Sequence, residues 1–132
     1  MEKILKNSIF AAKSAGQVIM HYYKTKLDVT HKSPNNPVTK ADYEANEKIK
    51  EILTLKYPDF GWLSEETKDS SERLKKEYVW IIDPIDGTKE FIEGIPNFSI
   101  SIGLVQNGIP ILGVLYNPAS EELFYAKKNQ GS

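Results

Sequence analysis

The start of the chain carries apolar residues at helical intervals. Over residues 2–24, apolar or small positions recur every three or four residues, with lysines between them. These positions are Leu5, Ile9, Ala12, Gly16 and Ile19. Such spacing gathers them on one side of a helix, so the pattern predicts a long amphipathic helix that buries this stripe.

A second helical stripe follows a polar, proline-bearing link at residues 30–37. Thr39 and Asp42 stand three residues apart, which is the spacing of a capping box, where each side chain satisfies the other residue's backbone N–H. Beyond them the apolar stripe continues with Ala45, Ile49, Ile52 and Leu53. We expect this helix to end near Tyr57-Pro58, because the residue before a proline disfavours helical geometry.

The rest of the chain changes to strand patterns. Runs rich in aromatic and β-branched residues predict buried strands at 60–63 and 78–82. The charged stretch between them, 67–77, predicts a solvated loop or a short helix rather than a site. Residues 98–104 alternate strictly between apolar and small or polar, which places Phe98, Ile100, Ile102 and Leu104 on one face.

Two turn signals continue this pattern into a meander. Asn107-Gly108 predicts a hairpin turn before a strand at 111–116, and Asn117-Pro118 predicts a turn before a strand at 123–126. Two helices followed mainly by strands predict an α+β fold, in which both N-terminal helices pack on one face of a mainly antiparallel sheet.

Composition narrows the classes of partner. The chain has 132 residues, which suits a single domain, and 17 basic against 18 acidic side chains. This balance gives no electrostatic reason to expect a nucleic acid polymer or a membrane surface as partner. The absence of cysteine excludes disulfides and thiolate chemistry and fits a cytoplasmic location. The first 23 residues contain glutamate and lysines, so they lack the unbroken apolar stretch of a signal peptide or membrane span.

The candidate chemistry lies where the apolar run 79–82 leads into Asp-Pro-Ile-Asp-Gly-Thr at 83–88. The proline favours extended geometry before it and the glycine allows a tight turn, so the carboxylates of Asp83 and Asp86 can converge on one point. Convergent carboxylates repel unless a cation lies between them. Oxygen ligands favour a hard ion such as Mg²⁺, which leaves coordination positions for water and phosphate.

A phosphate could be held directly after these acids. Thr88 and the backbone N–H groups after Gly87 would face the same point if a helical turn begins there. The P-loop and dinucleotide fingerprints are absent from the sequence. Haloacid-dehalogenase phosphatases also have an Asp-rich motif ending in Gly-Thr, but their acids are two residues apart. The spacing of three found here disfavours their aspartyl nucleophile.

Residues 80–88 resemble the signature of the lithium-sensitive, magnesium-dependent phosphatases that include inositol monophosphatase and the bisphosphate nucleotidases. Ser64-Glu65-Glu66-Thr67 is similar to a second segment of that family. Lys89-Glu90-Phe91-Ile92 is more similar to the CysQ branch, which removes the 3′-phosphate from phosphoadenosine phosphate. The resemblance implies the N-terminal lobe of the layered α/β sugar-phosphatase fold, extending over 1–132.

The resemblance also implies a set of metal ligands. Glu65, Asp83 and the carbonyl of Ile85 would hold a first Mg²⁺, while Asp83 and Asp86 would hold a second. Glu65 would also support a weaker third ion. Mn²⁺ is expected to substitute, and Li⁺ and Ca²⁺ are expected to inhibit.

The catalytic roles follow from the same resemblance. Thr88 together with Asp42 would orient and deprotonate the attacking water, with Glu65 as a further catalytic carboxylate. The amides of Gly87 and Thr88 would bind the substrate phosphate. Two-metal hydrolysis of this kind needs no phosphoenzyme, because a metal-activated water is nucleophile enough. For Asp42, stabilisation of the helix N-terminus is an alternative role that does not exclude the catalytic one.

Other polar and aromatic residues carry weaker expectations. Glu66 is balanced between support of the metal site and plain exposure, and Lys32 is expected to be solvated. His21 and His31 lack partners at ligand spacing and are expected to be structural or exposed. The two tryptophans, Trp62 and Trp80, lie on apolar strands and are expected in the core.

One expected element is missing. The family takes another metal-binding Asp from a C-terminal lobe, but no Asp follows Asp86. We therefore expect a fragment that lacks this lobe, binds metal weakly, is inactive or weakly active, and forms homodimers through an exposed sheet face or edge.

Two classes of function remain open. In the first, the full-length protein hydrolyses a small phosphorylated substrate, either phosphoadenosine phosphate or inositol monophosphate. In the second, the chain is a non-catalytic cation-binding or assembly module that uses the same acids.

Overall fold

Three α-helices and seven strands make up the described part of the computed structural model, which covers residues 1–23, 29–33, 36–64 and 74–128. In chain order they are α1 (Glu2–Tyr22), β1 (Val29–Ser33), β2 (Asn36–Thr39), α2 (Lys40–Lys56), β3 (Gly61–Ser64), β4 (Tyr78–Asp86), α3 (Thr88–Ile92), β5 (Ser99–Gln106), β6 (Ile109–Asn117) and β7 (Glu122–Lys127). None of the helices described combines the length and hydropathy that spanning a bilayer requires.

Five strands form the main sheet, in the order β3-β4-β5-β6-β7. Strand β3 pairs with β4 in parallel, and the other three pairings are antiparallel. The β5–β6 hairpin turns at Asn107 and Gly108, whose φ angles of 50° and 81° suit this tight connection. The predicted α+β class and mainly antiparallel sheet are confirmed.

Helices α1 and α2 pack on each other and on the same face of the sheet. Helix α1 crosses β5 and β6, and α2 lies over β4. The strand side chains beneath them are buried: Trp80, Ile82, Ile100, Ile102, Leu104 and Val114. Full burial of one such side chain contributes about 1.5–3 kcal/mol, so this layer is a major source of stability.

One close contact brings α1 against the sheet, and one hydrogen bond joins α1 to α2. A Cβ added at Gly16 would come within 2.8 Å of the Tyr116 ring, so the glycine lets α1 approach β6 closely. At the ends of the helices, Tyr22 hydrogen-bonds Glu44. This bond, with burial and the nearby carboxylate charge, raises the pKa of the Tyr22 phenol.

The predicted helices agree with the structure to within two residues. Helix α2 begins with the predicted capping box, in which Thr39 and Asp42 satisfy each other's backbone N–H groups. It ends at Lys56, directly before Tyr57-Pro58. The stripe on α1 is buried except for Ile9, which is partly buried.

Three expectations need correction. Residues 30–37 were predicted as a link, but 30–33 belong to β1 and 36–37 to β2, two antiparallel strands whose sequences show no apolar alternation. Strand β4 does not end at Ile82: it runs on to Asp86 through a bulge. Trp62 is only half-buried, because β3 is an edge strand, whereas Trp80 on the second strand is fully in the core.

Candidate active site at the end of strand β4

A β-bulge sets the direction of the two motif aspartates. Asp83 pairs with Ser101 and Asp86 pairs with Ser99, so three steps along β4 match two steps along β5. Residues two apart on a strand face the same side, and paired residues share a face. The bulge therefore brings Asp83 and Asp86 to one side of the sheet, whereas a regular strand would send them to opposite sides.

The residues inside the bulge suit this distortion. Pro84 has no backbone N–H to donate, and prolines within sheets are found at bulges and edges. Pro84 and Ile85 are buried, while Asp83 is partly exposed and Asp86 exposed. The two aspartates are thus at least partly exposed on a strand whose intervening residues are held in the core.

Gly87 turns the chain from β4 into α3. It has φ 97° and ψ 36°, a left-handed conformation that favours glycine. A Cβ at this position would lie 2.8 Å from the Asn97 carbonyl oxygen and 3.2 Å from Phe98 Cα. A side chain is therefore disfavoured by both the backbone conformation and the space.

Helix α3 is anchored by aromatic packing. Phe91 is buried, and its ring meets that of Phe98 edge to face at 5.2 Å between centroids. The Tyr23 ring packs against both, and its hydroxyl donates to the Gly94 carbonyl at 2.7 Å. These contacts hold the first residue of the helix, Thr88, in place relative to β4 and α1.

Thr88 connects this turn to α2. Its hydroxyl lies 3.0 Å from Asp42 Oδ1 and 3.0 Å from the Ile85 carbonyl oxygen. The hydroxyl has one hydrogen to donate, so these two oxygen atoms compete for it. Asp42 is buried, with 3% of its surface exposed. The partly exposed Thr88 connects this buried carboxylate to the surface.

An open cavity of about 380 Å³ lies beside the motif. Asp86 and Gly87 line one side, and Asn97, Ser99 and Asn117 supply further polar groups. The cavity is large enough for a small ligand and carries both acceptors and donors. The sequence analysis did not assign Asn97, Ser99 or Asn117 to the site. The strict alternation along β5 could have placed Ser99, like Ser101, on the face opposite the core.

The predicted site residues are partly brought together. Asp42, Ile85 and Thr88 form one hydrogen-bonded group, and Asp83 and Asp86 share a face. Residues 65–73 lie outside the described residues, so the convergence of Glu65 with the aspartates, and the role of Glu66, stay predictions.

Of the two lone histidines, the structure describes the side chain of His21. His21 is exposed at the end of α1. The side chains of His31 and Lys32 lie outside what the structure describes.

The donors present fit a hard cation. Two carboxylates and a backbone carbonyl at the same strand end are the oxygen ligands that Mg²⁺ prefers. Within the described ranges, no group of three or more His, Asp or Glu side chains is arranged to hold a metal ion by itself. A complete set of ligands therefore requires oxygens beyond those of Asp83 and Asp86.

Comparison with known proteins gives consistent matches. A model of the inositol monophosphatase family matches residues 1–132. The chain is 37% identical to an inositol monophosphatase of Mesembryanthemum crystallinum, over 100% of this chain and 50% of that protein. It is 39% identical to the 3'(2'),5'-bisphosphate nucleotidase CysQ of Buchnera aphidicola subsp. Acyrthosiphon pisum, over 94% of this chain and 48% of that protein.

A solved structure shows the same fold. The extragenic suppressor protein suhB from Bartonella henselae superposes with a TM-score of 0.91 at 35% identity, over 96% of this chain and 50% of that chain. The chain spans about half the length of the curated relatives it matches.

Proposed function

The chain belongs to the inositol monophosphatase family, and on that premise we propose that it forms the metal-binding first lobe of a magnesium-dependent phosphomonoesterase. The resemblance of residues 80–88 to that family is thereby confirmed. The observation that carries the proposal is the hydrogen bond from Thr88 to the buried Asp42, made beside two aspartates that share one face of the sheet.

The metal would be held at the end of β4. We assign Asp83, Asp86 and the carbonyl of Ile85 as ligands, with Glu65 as the further carboxylate that the described residues do not supply. Bound Mg²⁺ would stabilise negative charge on the phosphate and lower the pKa of a coordinated water. We propose that two or three Mg²⁺ ions bind, that Mn²⁺ can replace them, and that Li⁺ and Ca²⁺ inhibit the reaction.

Thr88 and Asp42 would handle the proton of the attacking water. A threonine hydroxyl can accept a hydrogen bond from water while it donates its own hydrogen. The Asp42 carboxylate, 3.0 Å away, is the acceptor for that hydrogen. As water attacks phosphorus and the ester P–O bond breaks, the water's proton would pass to Thr88 Oγ1 and the Thr88 proton to Asp42, while the leaving ester oxygen would take a proton from solvent water. No covalent intermediate with the protein is needed.

The phosphate would be held by the turn at Gly87. The turn at Gly87 leads directly into α3, so the amides of Gly87 and Thr88 lie at the start of this helical turn and would donate to phosphate oxygens. Asn97 and Ser99 line the adjoining cavity and could contact the rest of the substrate. This placement leaves the phosphate between the carboxylates and the Thr88 hydroxyl.

We propose phosphoadenosine phosphate as the substrate, converted to AMP and phosphate. The support is the Lys89-Glu90-Phe91-Ile92 segment together with 39% identity to a CysQ protein. Inositol monophosphate is the alternative, because the identity to an inositol monophosphatase is 37%. Because the two identities are similar, the proposed choice of substrate depends on the Lys89-Glu90-Phe91-Ile92 segment.

The second half of the relatives' length is part of the proposal. We infer that residues 1–132 form one lobe, that a C-terminal lobe completes the ligand set, and that the 132-residue chain alone turns over weakly or not at all. The test accordingly uses a full-length protein that carries these residues.

The primary experiment measures phosphate release from both substrates with Mg²⁺. We expect release from at least one, with a fall of about 10³-fold for Asp83→Asn, because loss of a metal ligand removes much of the stabilisation of the transition-state charge. Asp59→Asn is the matched control, since Asp59 is an exposed acid in the turn after α2. If the unmodified protein releases phosphate from neither substrate, the proposal that it is a phosphomonoesterase is rejected.

Two further measurements separate the alternatives. If the chain is a non-catalytic cation-binding module, it should bind Mn²⁺ without turnover. If Asp83→Asn leaves the Mn²⁺ affinity unchanged, the proposed metal site is rejected. An aspartyl nucleophile predicts a phosphoenzyme in acid-quenched reactions, whereas direct attack by water predicts none.

A further inference from the structure

We propose that Thr39 is a positioning residue that orients the Asp42 carboxylate toward Thr88, in addition to capping α2. The inference rests on the proposed function, because it assigns Thr39 to the proton path of that reaction. It starts from the way in which hydrogen bonds divide between the two oxygens of Asp42.

Thr39 holds one oxygen of Asp42 with two donors. Its backbone N–H and its hydroxyl both donate to Asp42 Oδ2, each at 2.7 Å. The other oxygen, Oδ1, accepts from Thr88 at 3.0 Å. The carboxylate is thus fixed from one side by two short bonds, and its second oxygen is presented to the catalytic hydroxyl.

Helix capping alone does not account for these lengths. In a capping box the threonine oxygen accepts from the backbone N–H three residues on. Here that bond, from Asp42 N to Thr39 Oγ1, is long at 3.4 Å. The hydroxyl makes its short bond as a donor to the carboxylate, so its geometry serves the side chain of Asp42 more than the end of the helix.

Burial makes the hydroxyl hard to replace. Thr39 is 1% exposed and Asp42 is 3% exposed, so water has little access to take over a lost bond. Without the hydroxyl, the carboxylate loses one of the two short bonds that fix Oδ2. The orientation of Asp42 therefore depends on a group that does not itself contact the proposed reaction centre.

The competing acceptor at Thr88 amplifies a small movement of Asp42. Thr88 Oγ1 is 3.0 Å from both Asp42 Oδ1 and the Ile85 carbonyl oxygen. If Oδ1 moves away by a few tenths of an ångström, the Thr88 hydrogen is left to Ile85. The hydroxyl then points its hydrogen away from the proton acceptor, and the proposed proton path is broken.

The test compares Thr39→Val, Thr39→Gly and Thr39→Ser in the full-length protein. Valine keeps the shape without the hydroxyl, glycine is tolerated at N-caps, and serine restores the donor. We expect kcat to fall about ten-fold for valine and glycine with KM within about two-fold, and to stay within about three-fold for serine. Thr54→Val, an exposed position on α2, is the matched control and should leave kcat unchanged.

A double-mutant comparison separates positioning from stability. If Thr39 acts through Asp42, Thr39→Val should cause no further loss of kcat in an Asp42→Asn background. Melting temperatures identify any variant that loses activity by unfolding, and the glycine variant then carries the test. Losses that multiply fully, or valine and glycine variants with kcat within two-fold of the parent, overturn the inference. An inactive parent protein would instead reject the proposed function.

Discussion

The two faces of the five-stranded sheet have opposite character. On the face beneath α1 and α2, Trp80 and Ile82 of β4 are buried. On the opposite face, Ile81 is 43% exposed, and the cross-strand pair of Leu115 and Phe124 is 40% and 60% exposed. The same strands supply both surfaces, because successive side chains alternate between them.

Strand β4 shows what this division achieves. Its side chains before the bulge fix it in the core, while Asp83 and Asp86 emerge on the exposed side. Carboxylates on a rigid strand are held more accurately than carboxylates on a loop. The covered face thus provides stability, and we propose that the other side provides the two aspartate ligands of the metal.

The largest expected effect comes from neighbouring isoleucines that face opposite ways. Ile82→Ala should lower the free energy of unfolding by about 2–5 kcal/mol, because it leaves a cavity in the core. Ile81→Ala removes the same atoms from a partly exposed position and should cost less than about 1 kcal/mol. Urea unfolding of both variants measures the difference. Equal losses would show that the two faces are not energetically distinct.

A second pair of variants tests the turn between β4 and α3. Gly87→Ala should destabilise by about 2–3 kcal/mol, because it combines a left-handed φ with a contact of 2.8 Å to Asn97. Gly108→Ala is the matched control, since its φ of 81° is similar but no atom lies within 4 Å of the added Cβ.

The comparison of the two glycines isolates packing from backbone strain. We expect Gly108→Ala to cost about 1 kcal/mol, the strain alone. Phosphate release should fall only for Gly87→Ala, because only that turn is placed at the proposed phosphate. Similar stability losses for both variants would contradict the role of the Asn97 contact.

Local patterns predicted most of the covered face. The alternation of 98–104, the capping box of Thr39 and Asp42, and the Asn107-Gly108 turn each depend on neighbours within a few residues, so the sequence alone was sufficient. The pairing of β1 with β2 was missed because their sequences lack apolar alternation. The length of β4 was misjudged because a proline and a glycine indicate a turn as readily as a bulge.

The site was less accessible to local reasoning. Asp42 and Thr88 are 46 residues apart in the chain, and only the packing of α2 over β4 brings them together. Their pairing was anticipated from family resemblance and not from spacing. The double hold of Thr39 on Asp42 could not be foreseen, because a capping box predicts the backbone bonds but not a hydroxyl that donates to the carboxylate.

The smallest expected effect on stability concerns the exposed face itself. Leu115 and Phe124 pair across β6 and β7 and line an open groove of about 590 Å³. We propose that the 132-residue chain forms homodimers by covering these side chains, since exposed apolar patches favour association. Phe124→Ser should change the free energy of unfolding by less than about 0.5 kcal/mol and weaken the dimer at least ten-fold.

Sedimentation equilibrium over a range of concentrations measures this association. Leu55→Ser is the matched control, because Leu55 is 82% exposed on α2, on the opposite side of the sheet. If Leu55→Ser weakens the dimer and Phe124→Ser does not, association uses the helical layer instead. A monomer at all concentrations would contradict the proposed homodimer, because it would show that these exposed side chains do not drive association.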